Sequence, residues 1–363
     1  MRKFLSFFML FCFLIPTIWC VGESISRGDF LFKEGENIDA WSQRIVISAF
    51  SQLNFLKELA PSLLYSFGTA RHDGIYITKQ YLLEDIFVKE DKILESNISL
   101  IDDFCKNTQA PVYLCIVPTA IAIKQQELPK MATIYNQKLM ISNVYDELSE
   151  ECEAIDAYSE LFAAKEQYLY YRTEPRLTAL GGYYVYLALG DSLGFLPYDL
   201  DKFKISHTDE SVTGSLYKRV NNKNFPQDVV SRYEFTQYDC FSVVHKNALA
   251  GKKYYSLFPR EIESLIDPFE LSLGGYSPIM EIVNPMGEKS SLLVLGDEAG
   301  TSYLPFLALN YNSITFLDLT RLSVEELLEF KDDSFTNVLF CYSADNFLNK
   351  KLPSHGMLLS ENK

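Results

Sequence analysis

The sequence contains little of the two residues that build most metal sites. It has seven cysteines and four histidines in 363 residues. No two cysteines have the Cys-x-x-Cys spacing of a zinc site, and the histidines have no mutual spacing that indicates a metal site. We therefore predict no metal and no cofactor. We expect every histidine to lie on the surface or in a loop: His72, His207, His245 and His355.

Five cysteines remain beyond the apolar N-terminus: Cys105, Cys115, Cys152, Cys240 and Cys341. Because five is an odd number, at least one thiol is left without a disulfide partner. Cys115 and Cys341 lie inside apolar, strand-like runs. For these two we expect buried free thiols that act as small hydrophobic side chains.

Positive charge is also in short supply. The chain has 33 Lys and Arg against 48 Asp and Glu, which gives a formal net charge of -15. This balance repels a phosphate backbone, so nucleic acid is not an expected partner. Hydrophobic residues make up 48% of the chain, which is enough for a sizeable core and excludes a disordered protein.

Only one long hydrophobic run is present. Residues 4–21 carry no charge and follow Met-Arg-Lys, so we interpret residues 1–22 as a signal peptide or a retained N-terminal anchor. Pro16 favours cleavage, and the bulky Trp19 before Cys20 argues against a lipid-anchored cysteine. We expect an exported protein that is periplasmic, on the cell surface or N-terminally anchored, and that meets the membrane only through this segment.

Hydrophobic periodicity predicts an α/β fold. An N-terminal helical segment, residues 23–66, contains an amphipathic pattern from about residue 44 to 60, and helical and strand-like patterns alternate beyond it. This alternation predicts a mostly parallel sheet flanked by helices. The periodicity weakens at about 199–281, which we interpret as a partly β insertion. The predicted strands are 75–77, 112–117, 154–157, 291–295, 314–319 and 338–341, and the later helices are 301–311 and 323–330.

One strand-to-helix turn is the most informative part of the chain. Residues 292–300 read as an apolar strand, Gly296-Asp297-Glu298, a small residue and the start of a helix. Ligands bind at the carboxyl ends of strands in open α/β sheets. One large class of esterases presents its serine in a Gly-Asp-Ser turn at such a place, where the helix N-terminus stabilises an oxyanion. Here Glu298 occupies the serine position, and we interpret Asp297 as a turn or capping residue.

A second stretch, Tyr170–Tyr184, gives the chain a resemblance to a known family. It is similar to the Tyr-Tyr-Arg-Thr-Asp-His-His-Trp-Thr motif of the Asp-His-His-Trp (DHHW) proteins, which are SGNH-hydrolase-like and include the alginate O-acetylation factors of bacteria. The resemblance implies an SGNH-like α/β domain over residues 67–363. It also implies that the family's catalytic triad positions are Glu174, Arg176 and Glu298, with Pro175 and Leu177 replacing a histidine and the tryptophan.

These replacements disable the reaction that the resemblance implies. Acyl transfer needs a hydroxyl nucleophile and a base with a pKa near neutral, whereas a glutamate has a pKa of about 4.3 and an arginine stays protonated. We hypothesise that Arg176 forks between Glu174 and Glu298 in a charge-compensated cluster. The alternative is that Arg176 is exposed and that Glu298 is only an acid near a helix N-terminus.

Three functions remain open. The first is a non-catalytic protein that binds a polysaccharide, or scaffolds an envelope acyltransferase complex, in polysaccharide acetylation or export; this context comes from the resemblance. The second is an enzyme that acts on a glycan through Glu174 and Glu298 as a carboxylate pair. The third is an esterase that uses a serine recruited from elsewhere in the chain.

Overall fold

The computed structural model describes residues 71–220, 225–246, 251–260, 266–330 and 335–360. Almost all of these residues belong to one compact unit; only Arg71 and Val220 are assigned to a second unit. The predicted signal or anchor at 1–22 and the predicted helix at 44–60 lie outside the described residues.

The helices are α1 Asp91–Asn107, α2 Ala120–Ile123, α3 Gln137–Glu147, α4 Ala157–Ala163, α5 Ala179–Gly190, α6 Ser215–Val220, α7 Gly300–Leu307, α8 Val324–Leu328 and α9 Ala344–Asn349. The first nine strands are β1 Arg71–His72, β2 Ile75–Ile77, β3 Leu82–Glu84, β4 Val112–Val117, β5 Cys152–Ile155, β6 Phe203–His207, β7 Ser231–Phe235, β8 Ser242–His245 and β9 Lys252–Tyr254. The last four are β10 Ile279–Val283, β11 Lys289–Gly296, β12 Tyr311–Leu317 and β13 Asn337–Ser343.

A central sheet carries eight of these strands in the order β5-β4-β13-β11-β12-β10-β8-β9. The first five pair in parallel, and the last three pair antiparallel. Strands β6 and β7 form a separate antiparallel pair. Because the carboxyl ends of parallel strands meet at one edge of a sheet, the turns after β4, β11 and β13 come together there.

The central strands are buried on both faces. Every residue of β4 is buried, as are the last five residues of β11. Near-continuous apolar runs of this kind are typical of parallel strands that helices cover on both sides. Helix α5 packs against α4 and α7, and α1 packs against α9. The close contact of α5 with α7 depends on Gly182, since a Cβ there would lie 2.0 Å from the carbonyl oxygen of Ser302.

The α/β architecture with a large helix-flanked sheet confirms the predicted fold class. The predicted strand at 112–117 is β4 to the residue, and the capping box of Ser323 and Glu326 is present at the start of α8. Several boundaries are wrong: the helix predicted at 301–311 ends at Leu307, the strand that follows begins at Tyr311, and the strand predicted at 154–157 is Cys152–Ile155. Within the region predicted as a partly β insertion, β8, β9 and β10 extend the central sheet.

Candidate functional site

A buried carboxylate joins two of the turns at the carboxyl edge of the sheet. Asp297 Oδ2 accepts hydrogen bonds from the amide and hydroxyl of Ser343, at 2.9 and 2.7 Å, and from Asn346 Nδ2 at 2.6 Å. Its Oδ1 accepts from the amide of Ala299 at 3.0 Å. Burial raises the pKa of Asp297 and these hydrogen bonds oppose the rise. Asp297 therefore fixes the turn after β11 to the turn after β13.

Glu298 follows Asp297 and lies just before α7, with its side chain about 36% exposed. One of its oxygens, Oε2, is buried and accepts no hydrogen bond from the described residues. The nearest cations to that oxygen are Arg321 Nη2 at 3.7 Å and Lys350 Nζ at 4.0 Å. Both distances are too long for a hydrogen bond. Glu298 thus presents a carboxylate whose acceptor capacity is largely unused.

Arg176 has different partners from those hypothesised. Its Nε donates to Glu174 at 3.0 Å, its Nη1 to Glu270 at 2.6 Å and its Nη2 to Asp267 at 2.8 Å. The predicted contact with Glu174 is present. The predicted ion pair with Glu298 is wrong, because the two terminal nitrogens of Arg176 donate to Asp267 and Glu270 instead. The alternative of an exposed Arg176 is also wrong, since only 18% of its side chain is exposed.

Glu174 is almost fully engaged in local contacts. Besides the bond from Arg176, its Oε2 accepts from the amide of Ser215 at 2.7 Å, and the residue is 7% exposed. Gly214 permits this packing, because a Cβ there would lie 2.6 Å from Glu174 Oε2. The carboxylate therefore has a clear structural role in joining residue 174 to the start of α6.

Three acidic residues at the site were missed by the sequence analysis. Asp228 is fully buried and accepts from the amides of Arg172 and Thr173 at 2.6 and 2.9 Å, and from the hydroxyls of Tyr168 and Thr173. Asp267 and Glu270 hold Arg176. All three lie in the region of weak periodicity, where no sequence spacing links them to residues 168–176.

An open cleft with a volume of about 120 Å³ lies in front of these turns. Its lining includes Thr119, Tyr170, Arg176, Glu298 and Asn346. A second, small pocket of about 30 Å³ shares Arg176 and Glu298 with the cleft. The other walls of this pocket are mainly aromatic and aliphatic, and include Tyr171, Phe258, Phe269, Leu271 and Phe306. The two cavities together combine charged groups with an apolar surface.

None of the four histidines, all of them described in the structure, lines the cleft or the apolar pocket. His207 Nδ1 is 2.8 Å from the hydroxyl of Ser231, a residue that lines the apolar pocket. His245 was expected in a loop or on the surface, which is wrong: it lies in β8, is 7% exposed and contacts the carbonyl of Leu273 at 2.7 Å. Burial lowers its pKa. In the described ranges, no group of three or more potential ligand residues is arranged for a metal ion.

The family can now be assigned. A model of the DHHW protein family matches residues 71–317, which is more than half of the chain and includes Glu174, Arg176 and Glu298. The chain belongs to the DHHW family. This confirms the resemblance seen at Tyr170–Tyr184. No curated protein matches the sequence.

Solved structures share the fold of this DHHW protein. A DHHW family protein from Eubacterium siraeum is 18% identical, with a TM-score of 0.62, over 79% of this chain and 96% of its own. PatB1 of Bacillus cereus, in a structure with a sulfonyl adduct, is 17% identical, with a TM-score of 0.61, over 77% and 98%. The O-acetyltransferase domain of Pseudomonas putida AlgJ is 14% identical over 77% and 93%, and its TM-score of 0.48 adds nothing to the fold assignment.

Proposed function

We propose that this DHHW protein is non-catalytic and binds a cell-envelope polysaccharide through the cleft at Glu298. Its role is that of a binding or scaffolding component in polysaccharide acetylation or export, beside an envelope acyltransferase complex. Residues 1–22 export the protein as a signal peptide or hold it as an anchor. The family assignment supports the context, and the side chains in the cleft support the loss of catalysis.

The carboxylate of Glu298 carries this proposal. It stands at the strand-to-helix turn where SGNH-type enzymes place a serine, and a carboxylate there has no hydroxyl to acylate. Arg176, at the position of the family's histidine, is an equally poor base. Burial lowers its pKa, but Glu174, Asp267 and Glu270 outweigh burial and raise the pKa further above the ordinary value. Neither side chain can exchange the proton that acyl transfer requires.

The chemistry of the two cavities suits a sugar. The partly exposed carboxylate of Glu298 complements ligand hydroxyls, which are the main donors of a polysaccharide. Phe258 and Phe269 are partly exposed at the adjoining pocket and offer apolar ring faces of the kind that stack on sugar rings. A concave site with a few polar groups and aromatic walls is the usual form of a small-ligand site.

A glycan-cleaving carboxylate pair is the weaker alternative. Glycosidases need one carboxylic acid with a raised pKa and a second carboxylate across the scissile bond. Glu174 is buried and bonded to both Arg176 and Ser215, so it is poorly placed to deliver a proton to a substrate. The arrangement therefore favours binding over glycan cleavage.

The test of the main proposal is polysaccharide binding with matched variants. The full chain is applied to an array of bacterial polysaccharides with and without O-acetyl groups, and compared with Glu298→Gln. The control is Glu160→Gln, which makes the same change at an exposed position on α4 outside both cavities. We expect Glu298→Gln to weaken polysaccharide binding by about tenfold, because it removes one charge-assisted hydrogen bond. The control should bind as tightly as the wild type. The proposal is contradicted if Glu298→Gln binds as tightly as the wild type, or if the wild type binds no polysaccharide.

A second candidate function is supported by the Ser231 hydroxyl beside the His207 ring. Ser231 lines the apolar pocket, and its hydroxyl is in hydrogen-bonding contact with a histidine ring, as a serine nucleophile requires. None of the described acidic side chains hydrogen-bonds His207 as the third member of a triad, which makes this candidate the weaker of the two. Hydrolysis of 4-nitrophenyl acetate, lost in Ser231→Ala and retained in Ser302→Ala, supports it. Equal rates in wild type and Ser231→Ala remove it.

A further inference from the structure

Two buried cysteines meet where helix α1 ends against the edge strand β5. Cys105 lies in the last turn of α1 and Cys152 is the first residue of β5, and they are 5% and 7% exposed. Both are free thiols. Strand β5 is the outermost strand at its side of the sheet. This pair is therefore close to the surface, although neither side chain is open to solvent.

Three contacts hold the segments that carry the two cysteines side by side. Asp102 Oδ1, one helical turn before Cys105, accepts from the amide of Ser149 at 3.1 Å. The amide of Cys152 in turn donates to the carbonyl of Ser149 at 3.1 Å. Cys152 also pairs with Val112, the first residue of the strand that follows α1. The helix end and the start of β5 are thus fixed side by side.

The side chains of Cys105 and Cys152 are within hydrogen-bonding reach of each other. The hydrogen bond with Cys105 raises the pKa of the Cys152 thiol, and burial adds to the rise. A thiol with a raised pKa holds little thiolate at neutral pH, and the thiolate is the form that attacks a disulfide. We therefore expect oxidation of this pair to be slow and to speed up as the pH rises.

We propose that Cys105 and Cys152 form a disulfide bond that fastens α1 to β5. The oxidant is an external disulfide such as oxidised glutathione. One protein thiolate attacks it, releases one thiol and forms a mixed disulfide; the second protein thiolate then attacks that bond and releases the second thiol. The two protein thiols are oxidised, the reagent is reduced to two thiols, and two protons pass to them. The inference does not depend on the proposed polysaccharide binding.

A second pair of cysteines gives an internal comparison. Cys115 and Cys341 are register partners in the neighbouring central strands β4 and β13, and both are 0% exposed. Their thiols are also hydrogen-bonded to each other, so proximity alone does not distinguish the two pairs. Flanking strands β5 and β11 also shield this pair. We expect Cys115 and Cys341 to remain thiols.

Peptide mapping of the folded full-length protein tests the proposal. The protein is incubated with oxidised glutathione at about pH 8.5, where the thiolate fraction is higher. It is then denatured, alkylated, digested and analysed by mass spectrometry without reduction. The exposed Cys240 reports that the oxidant is active, because it should carry glutathione. We expect a peptide that links Cys105 to Cys152, and alkylated Cys115 and Cys341. Recovery of Cys105 and Cys152 as separate peptides, with Cys240 glutathionylated, overturns the proposal.

Thermal unfolding gives a second readout. A disulfide restricts the unfolded chain, so oxidation should raise the Tm by about 4 to 8 °C. The rise should be absent in Cys152→Ala and present in Cys341→Ala, which removes a thiol of the same buried class. A rise of equal size in Cys152→Ala would assign the effect to another site and overturn the proposal.

Discussion

At the scale of single residues, Arg176 is the centre of charge at the site. One guanidinium contacts three carboxylates, from Glu174, Asp267 and Glu270, and the first and last of these are largely buried. Buried charges are tolerated only when they are paired and hydrogen-bonded. The three acids come from two segments about 90 residues apart, so Arg176 also joins residues 174–176 to residues 267–270.

Replacement of Arg176 should be costly for that reason. Arg176→Met leaves buried carboxylates without a partner, and we expect the free energy of unfolding to fall by about 3 to 5 kcal/mol. Arg176→Lys keeps the charge but not the three-way fork, so its loss should be smaller. Urea unfolding of the three proteins measures both changes. Equal stability of Arg176→Met and wild type would show that the cluster is not holding these segments together.

Glu270 should make stability depend on pH. Burial raises its pKa above the ordinary value of 4.5, and Asp267 and Glu298 add to the rise, while Arg176 and the Tyr276 amide oppose it. The folded state therefore binds this proton more tightly than the unfolded state. Relative to Glu270→Gln, the wild type should lose stability as the pH rises from about 4.5 through the raised pKa, by at most about 1.4 kcal/mol per pH unit.

Urea unfolding of wild type and Glu270→Gln from about pH 4.5 to 7 measures this difference directly. Comparison with the variant cancels the pH dependence of all groups that the two proteins share. A difference in stability that stays constant across the range, or one that grows in favour of the wild type with rising pH, contradicts the assignment.

Asp297 should be intolerant of its nearest isostere. Its two oxygens accept four hydrogen bonds, so Asp297→Asn places an amide donor against other donors whichever way the side chain is turned. We expect a loss of about 2 to 4 kcal/mol in the free energy of unfolding. The exposed Asp345, on α9 beside the same cleft, provides the control Asp345→Asn. Equal losses in the two variants would contradict a special role for Asp297.

The residue scale also shows what the sequence could reveal about the site. The turn at Asp297–Glu298 and the Tyr170–Tyr184 stretch carry local patterns, and both could be recognised without coordinates. Asp228, Asp267 and Glu270 carry none, because an ion-pair partner is chosen by position in space and these three lie in a region without clear periodicity. For this reason the sequence indicated Glu174 as a partner of Arg176 but assigned the wrong second acid.

At the scale of elements, the parallel strands were the easiest to predict. Burial on both faces requires an uninterrupted apolar run, and β4 is such a run. The end of α7 was harder to place, because Ala308, Leu309 and the following Tyr311 are also apolar and buried. A helix that ends in a buried turn and a buried strand that follows it have the same composition, so the apolar pattern alone cannot mark the boundary.

The contact between α5 and α7 leads to a further prediction. Gly182→Ala gains helix propensity, yet its Cβ would lie 2.0 Å from the carbonyl oxygen of Ser302. The helices must move apart, and we expect a net loss of about 1 to 3 kcal/mol. Ala188→Gly on the same helix should cost only about 1 kcal/mol through propensity. Thermal unfolding of both variants measures these losses in stability. A Gly182→Ala protein that is more stable than wild type would contradict the close contact of α5 with α7.

At the scale of the whole molecule, the fold is shared with solved structures of low sequence identity. The chain keeps the fold of a DHHW family protein and of PatB1 at 17 to 18% identity, while the side chains at its candidate site form a charge cluster. Folds constrain core positions, whereas activity depends on a few side chains at the site. In the described part of the chain, no helix has the length and apolarity to cross a bilayer. Residues 1–22, where export or anchoring was predicted, lie outside it.

Covalent labelling with a serine-directed fluorophosphonate, followed by intact mass measurement, tests the absence of nucleophilic catalysis most directly. The reagent reacts with an activated hydroxyl and not with a carboxylate or a guanidinium. We predict that the folded protein stays unlabelled, and that Glu298→Ser stays unlabelled too, because Arg176 cannot accept the proton. A stoichiometric adduct on the wild-type protein, lost in Ser231→Ala or in any other single serine variant, would contradict the account.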